Sequence, residues 1–187
     1  MDTRTRILDA AADLFWERGY SATSPQALQE RSGVGQGSMY HHFSGKRDLA
    51  VASLRRESER LRRSTADLLD GAATPLDAVI AYLSTPRAPL KGCRLGRMTQ
   101  EPEVLANDEM RSPIAETFVF YQGRLAALLE AARRDGQLRA EFSPIDVAAT
   151  LVAIVQGAHV LARSEQSADA FQRVVAGAVQ LVHALRA

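Results

Sequence analysis

The stretch Gln36-Gly37-Ser38-Met39-Tyr40-His41-His42 gathers an amide, a hydroxyl, a phenol and two imidazoles within seven residues. These groups hydrogen-bond phosphate oxygens and the edges of bases. A short, exposed helix has no packing reason to collect them, and it has a good one if it lies against a nucleic-acid duplex. Gly37 carries no side chain, so backbone can come close to a base edge or phosphate there. The run Ser32-Gly33-Val34-Gly35 before it reads as a tight turn, with Gly33 supplying the positive φ. Val34 and Met39 read as the apolar plugs beneath the polar face. Together these residues read as the turn and second helix of a helix-turn-helix, whose second helix enters the major groove.

The elements that must hold this segment are helical. Apolar residues recur at helical spacing nearly everywhere, and no segment alternates like a strand. Ile7, Ala10, Ala11, Leu14 and Phe15 form the stripe of a first helix, capped at Asp2 or Thr3 and closed by Gly19. Ser24-Pro25 starts a second helix that ends at Gly33. A third spans Gln36 to His42. Ser44 caps a long fourth helix to about Asp70, with Leu49, Leu54, Leu61 and Leu68 turned inward. Thr74-Pro75 starts a helix to Leu83, and Thr85 to Gly92 is a loop. A short helix covers Cys93 to Thr99 and is interrupted by Pro102. Ile114, Phe118, Tyr121, Leu125, Leu128, Leu129 and Ala132 mark a long helix that stops before Gly136. Ser143-Pro144 opens a helix to Arg163, and Phe171 to Leu185 mark the last. The fold class is all-α, with about nine helices.

The helix over about 144–163 is apolar nearly all round, and the one over about 167–186 offers a similar face. Asp146, Thr150, Gln156 and His159 argue against a membrane span. Burial against a second subunit explains both helices, which predicts a homodimer sealed by a four-helix bundle. A two-fold dimer presents two reading helices to half-sites about 34–36 Å apart or a multiple of that, so its DNA operator is expected to be a pseudo-palindrome.

Bulk properties narrow the class further. The chain has 187 residues, a formal charge of +1, one Cys and four His. No internal disulfide and no zinc spacing follow from that set, and neither a metal nor a cofactor is expected. The N-terminus is charged throughout and does not resemble a signal peptide, so a cytoplasmic setting is expected. Paired carboxylates, a nucleophile–base arrangement and a phosphate-binding glycine loop are not found, which argues against an enzyme. Gly33, Gly35 and Gly37 follow no strand and have the wrong spacing for a dinucleotide fingerprint. Arg55, Arg56, Arg60, Arg62 and Arg63, interleaved with Glu57 and Glu59, read as a solvated face with intrahelical pairs. A helical interaction protein without DNA binding remains the alternative from another class.

Thr5-Arg6-Ile7-Leu8-Asp9-Ala10-Ala11, Leu14-Phe15, Gly19-Tyr20, Thr23, Gly33-Val34, Gly37-Ser38-Met39-Tyr40-His41-His42-Phe43 and Lys46 occur in this order within the first fifty residues. In that order and spacing the chain resembles the TetR family of transcriptional regulators. The resemblance implies a DNA-binding domain over 1–45 and a helical effector-binding and dimerisation domain over 46–187, joined by a connecting helix over about 46–70. It places Thr23 and Lys46 on phosphates, and Gln36, Gly37 and Ser38 nearest the bases. Tyr40 and His41 are placed on phosphate oxygens, with Tyr40 also against a thymine methyl. His42 either meets phosphate or supports the turn. Gln29 departs from the pattern, standing where the family usually has Ala at the crossing of the two helices.

The family also implies an unidentified small-molecule effector that releases a repressor from its operator by shifting a population of states. Candidate pocket residues are Tyr82, Met98, Phe118, Tyr121, Gln122, Gln156 and His159, polar or aromatic groups set among apolar ones. Gly92-Cys93-Arg94-Leu95-Gly96 resembles a segment of one branch of the family. It raises thiol-based sensing through Cys93 as an alternative, with Lys91, Arg94 and Arg97 as sources of positive charge.

Overall fold

Every helix start that the sequence marks with a capping residue and proline is a helix start in the structure. The computed structural model of the chain describes residues 2–187. Among the described residues it has nine α-helices and no strand: α1 (Thr3–Arg18), α2 (Pro25–Ser32), α3 (Gln36–His42), α4 (Lys46–Asp70), α5 (Pro75–Ser84), α6 (Pro102–Leu105), α7 (Asp108–Arg134), α8 (Pro144–Ser164) and α9 (Ala168–His183). A 3₁₀ turn, Gly96–Gln100, precedes α6. The all-α expectation holds.

Side-chain oxygens meet the open N–H groups at these starts, as helix ends require. The Asp2 carboxylate accepts from the Thr5 N–H at 2.7 Å. Ser24 accepts from Ala27 at 3.1 Å, Thr74 from Asp77 at 3.1 Å and Ser143 from Asp146 at 3.4 Å. Three expected features come out differently. Ser44 does not cap α4 by accepting. Its N–H and hydroxyl instead donate to Asp48 in the first turn, at 2.9 and 3.3 Å. Pro102 begins α6 rather than interrupting a helix, because its missing N–H costs nothing at the first helical position. On α4, Leu49, Leu54 and Leu69 are buried, while Leu61 and Leu68 are only half-buried.

Packing divides the chain into two units, residues 1–60 with 94–115 and residues 61–93 with 116–187. The first unit has a core of Ile7, Leu8, Ala11, Leu14, Phe15, Leu28, Val34, Met39, Phe43 and Leu49, all nearly solvent-free. Its boundary lies beyond residue 45 because the start of α4 buries Leu49, Ala50 and Leu54, and because residues 94–103 dock on α1. There the Arg94 guanidinium lies 4.0 Å from the Trp16 ring and pairs with Asp13 at 3.0 Å and Glu57 at 3.5 Å. Arg97 donates to the Trp16 carbonyl. Arg60 pairs with Glu57 within α4, as expected, whereas Arg56 pairs with Asp9 of α1 at 2.8 Å, so part of the arginine cluster bridges elements rather than only decorating one face.

The second unit is built on Leu76, Val79 and Leu83 of α5, Leu125 and Leu129 of α7, Leu151 and Val155 of α8, and Phe171, Val175 and Val182 of α9. Each such side chain contributes about 1.5–3 kcal/mol on leaving water. One isolated bridge, Leu138 with Arg186, ties the α7–α8 connection to the C-terminus.

The turn between α2 and α3 carries a conformational constraint. Gly33 has φ 64° and donates its N–H to the Gln29 carbonyl at 2.9 Å. A Cβ at Gly33 would lie 3.0 Å from Nη2 of Arg6, whereas one at Gly37 would meet nothing within 4 Å. Gly33→Ala is therefore expected to lower the denaturant midpoint, costing about 1–3 kcal/mol. Gly37→Ala is expected to raise it, adding about 0.5–1 kcal/mol of stability, as alanine does within a helix.

Candidate nucleic-acid interface

The third helix is held from beneath and bare above. Met39 is 5% exposed and sits in the core with Val34, Phe43 and Leu28. The Arg6 guanidinium reaches from α1 to the preceding turn and donates to the Ser32 carbonyl at 2.8 Å and the Gly33 carbonyl at 3.2 Å. Arg4 lies over the Phe43 ring at 5.3 Å, and Arg31 pairs with Glu17 at 2.8 Å, fastening α2 to α1. Burying Met39 points its helical neighbours outward. Gln36, Gly37, Ser38, Tyr40 and His41 are exposed, Tyr40 at 46%. The helix has no side-chain cap at its N-terminus, so its first N–H groups have no capping side chain.

The remaining residues on which DNA contacts are expected stand differently. His42 is half-buried between His41, 5.3 Å between centroids, and Phe43, at 6.4 Å. Thr23 is 1% exposed, and its hydroxyl donates to the Gly19 carbonyl at 2.7 Å. Its donor is thus committed inside the turn, and its side chain does not face outward to a phosphate as expected. Lys46 lies with its ammonium 4.2 Å from the Tyr20 ring and 3.4 Å from the Ser21 carbonyl. Partial burial pulls its pKa down, against the opposing pull of Glu103 and Glu101. Gln29 is half-buried. Its carbonyl accepts from the Gly33 and Val34 N–H groups and the Ser32 hydroxyl, so its backbone organises the turn.

Two features of this unit have no local sign in the sequence. Arg6 reads simply as a polar residue on α1. Ser21, in the α1–α2 turn, is bound by Glu101 and Glu103, some eighty residues later, and only the folded chain brings them together.

In the second unit Tyr82 and Tyr121 are buried with ring centroids 5.9 Å apart, and the half-buried Phe118 meets Tyr121 edge-on at 6.3 Å. Burial pushes the Tyr82 phenol well above its ordinary range. His159 is buried against Phe171 at 4.8 Å, with Nδ1 3.3 Å from the Pro89 carbonyl. Burial holds its imidazole below its usual pKa. Gln122 and Gln156 are half-buried. Met98 belongs to the first unit and is buried there, so packing does not place it with the other candidates.

Sequence reasoning missed Arg87, although a basic residue just past a helix C-terminus is a recognisable signal. Its guanidinium donates to the carbonyls of Tyr82 at 2.6 Å, Leu83 at 3.0 Å and Thr85 at 3.0 Å, and lies over the Tyr82 ring at 5.2 Å. Cys93 is half-buried. Arg94 and Arg97, which the sequence offers as sources of positive charge for it, are engaged with α1.

Comparison with known proteins matches both parts of the chain. Residues 7–52 match the family described as bacterial regulatory proteins, tetR family, and residues 59–178 match the tetracyclin repressor-like C-terminal domain. The HTH-type transcriptional regulator LmrA of Bacillus subtilis is 35% identical over 83 residues, which span only 44% of each protein. The HTH-type transcriptional repressor KstR2 of Rhodococcus jostii is 32% identical over 148 residues, 77% of this chain and 70% of that protein. The crystal structure of reduced Escherichia coli NemR superposes with a TM-score of 0.85 at 26% identity, covering 100% of this chain and 98% of that one. With both family regions matched in order and the reading helix exposed on a matching fold, the chain belongs to the TetR family of helix-turn-helix transcriptional regulators that bind DNA.

Proposed function

We propose that this regulator is a cytoplasmic repressor, with no catalytic role, that binds a pseudo-palindromic operator as a homodimer and is released by a small-molecule effector. The observation that carries the reading is the outward row Gln36, Ser38, Tyr40 and His41 above a buried Met39. Residues 1–45 with the start of α4 supply the reading head, and the helices of the second unit the effector and dimer functions. Gln36, Gly37 and Ser38 meet bases. Tyr40, His41 and Lys46 meet phosphates, and His42 buttresses the helix end. Thr23 contributes through the turn it closes.

The second copy seats on α8 and α9. One face of α8 is buried through Ala148, Leu151, Val152, Val155, Ala158, His159 and Ala162. Another carries exposed Ala153, Gly157, Val160 and Leu161, and α9 adds exposed Ala176 and Leu181. Among the described residues α8 is the only helix long and apolar enough to cross a membrane. Two-sided packing in a dimer accounts for that composition without one. The effector is expected beside Tyr82, Phe118, Tyr121, Gln122, Gln156 and His159.

A second reading is thiol sensing at Cys93, which is half-buried rather than sealed in the core.

Three measurements decide among these readings. On an operator selected from random DNA, Tyr40→Ala/His41→Ala is expected to weaken binding to all sequences. Losing a cationic phosphate contact, as in Lys46→Gln, should flatten the log–log salt dependence by about 0.9. Gln36→Ala should instead relax preference at particular bases, by about 1–3 kcal/mol. Equal affinity of the double variant and wild type contradicts the assignment. In sedimentation at micromolar concentration, wild type should run as a dimer and Leu181→Glu should shift toward monomer. An electrophile that releases wild-type protein from DNA should fail on Cys93→Ser, and release that persists removes the thiol reading.

A further inference from the structure

Ser21, outside the recognition helix, sits in a donor arrangement suited to an anion. Its N–H and hydroxyl both point to Oε2 of Glu101, at 3.1 and 2.8 Å, and the hydroxyl also lies 3.0 Å from Oε1 of Glu103. One hydroxyl proton thus faces two carboxylates. The Lys46 ammonium stands 3.4 Å from the Ser21 carbonyl. Gly19 leaves the space that Glu101 occupies, since a Cβ there would come within 2.0 Å of Oε1. The N–H and hydroxyl converge on one carboxylate oxygen, with the ammonium close by on the Ser21 carbonyl, and donors of these kinds are the ones DNA phosphates receive from proteins.

The charge pattern extends along the same segment. Glu109 lines an open cleft of about 540 Å³ together with Lys46, Arg47 and Arg55. The cations at the start of α4 therefore face carboxylates of their own chain. Ser21 and Glu103 are exposed and Glu101 is half-buried, so this arrangement lies at the surface.

We propose that the Ser21 N–H and hydroxyl together with the Lys46 ammonium form a seat for a DNA phosphate, filled in the free protein by the carboxylates of Glu101 and Glu103. The proposal rests on the DNA-binding reading. A phosphate must displace an internal anion there, so residues 101–103 act as a charge brake on operator binding. The negative charge is the active property, and the acceptor oxygen is secondary.

The test is fluorescence anisotropy with a selected operator and a random-sequence duplex over a range of salt, with folding checked by thermal melts. Glu101→Gln/Glu103→Gln keeps an acceptor at each position and removes both charges. It is expected to bind both duplexes about three- to tenfold more tightly, with a log–log salt slope steeper by about 0.9. In a Ser21→Ala/Lys46→Gln background, the same two glutamate substitutions should give no gain over that background. Unchanged or weaker binding by the charge-removed protein overturns the proposal, because the carboxylates then only brace the turn. A gain that survives loss of Ser21 and Lys46 also overturns it, because the effect is then diffuse electrostatics. Should the double variant fail to fold, the exposed Glu103→Gln alone is judged by the same criteria. Failure of wild type to bind either duplex would sink the DNA-binding reading itself, which is distinct from wild-type binding without a gain.

Discussion

The clasp of Arg6 on the turn between α2 and α3 is the constraint on which the reading surface depends. Gly33 ends α2 in a left-handed conformation that leaves the last carbonyls of the helix pointing away from it. Arg6 supplies charged donors to the Ser32 and Gly33 carbonyls from α1. Hydrogen bonds from a charged group are worth about 1.5–3 kcal/mol, more than neutral ones. The clasp fixes the direction in which α3 leaves the turn. Once that direction is set, Val34 and Met39 fall into the core and the polar residues between and after them have nowhere to go but outward. A seven-residue helix has little stability of its own. Its shape comes from the turn before it and the apolar side chains beneath it.

Much of the fold was legible because its signals are local. Asp2, Ser24, Thr74 and Ser143 cap helices through atoms three residues away. Gly19 and Gly33 end helices by a property of their own backbone. The seven residues of α3 could be bounded on both sides by such signals. What escaped the sequence is long-range. Glu101 and Glu103 meet Ser21, and Arg94 meets Trp16, across about eighty positions. Nothing in their immediate neighbours marks those pairings. Thr23 shows the limit from the other side. Its position in a family pattern implied a phosphate contact, but a closer acceptor, the Gly19 carbonyl, takes the hydroxyl's proton inside the turn.

The second unit shows why candidate pocket residues were harder to judge than the reading surface. An exposed polar helix poses one question, namely what it touches. Buried aromatic and polar groups such as Tyr82, Tyr121 and His159 are already satisfied by one another, by Phe171 and by the Pro89 carbonyl. Their burial is equally explained by a core and by a pocket wall. Arg87 sharpens the choice, because a half-buried guanidinium needs several acceptors and finds them in three carbonyls around the end of α5. That end of the helix is therefore organised by a charge.

The chain passes between the two units at residues 60–61, 93–94 and 115–116. The chain leaves the second unit at Cys93 and enters the first at Arg94. Arg94 is immediately engaged by Trp16, Asp13 and Glu57, and further along the same segment Glu103 reaches Ser21. The segment 94–103 is thus anchored at its start on the brace of the reading head and at its end on the turn before α2. A ligand alters DNA affinity only by the difference in its own affinity for two states of the protein. States that differ in how this segment is anchored would differ in the charge presented beside Lys46 as well as in the setting of α1. The net charge of +1 conceals this, because carboxylates and cations that cancel in the sum occupy facing positions, and facing positions are where a phosphate discriminates between them.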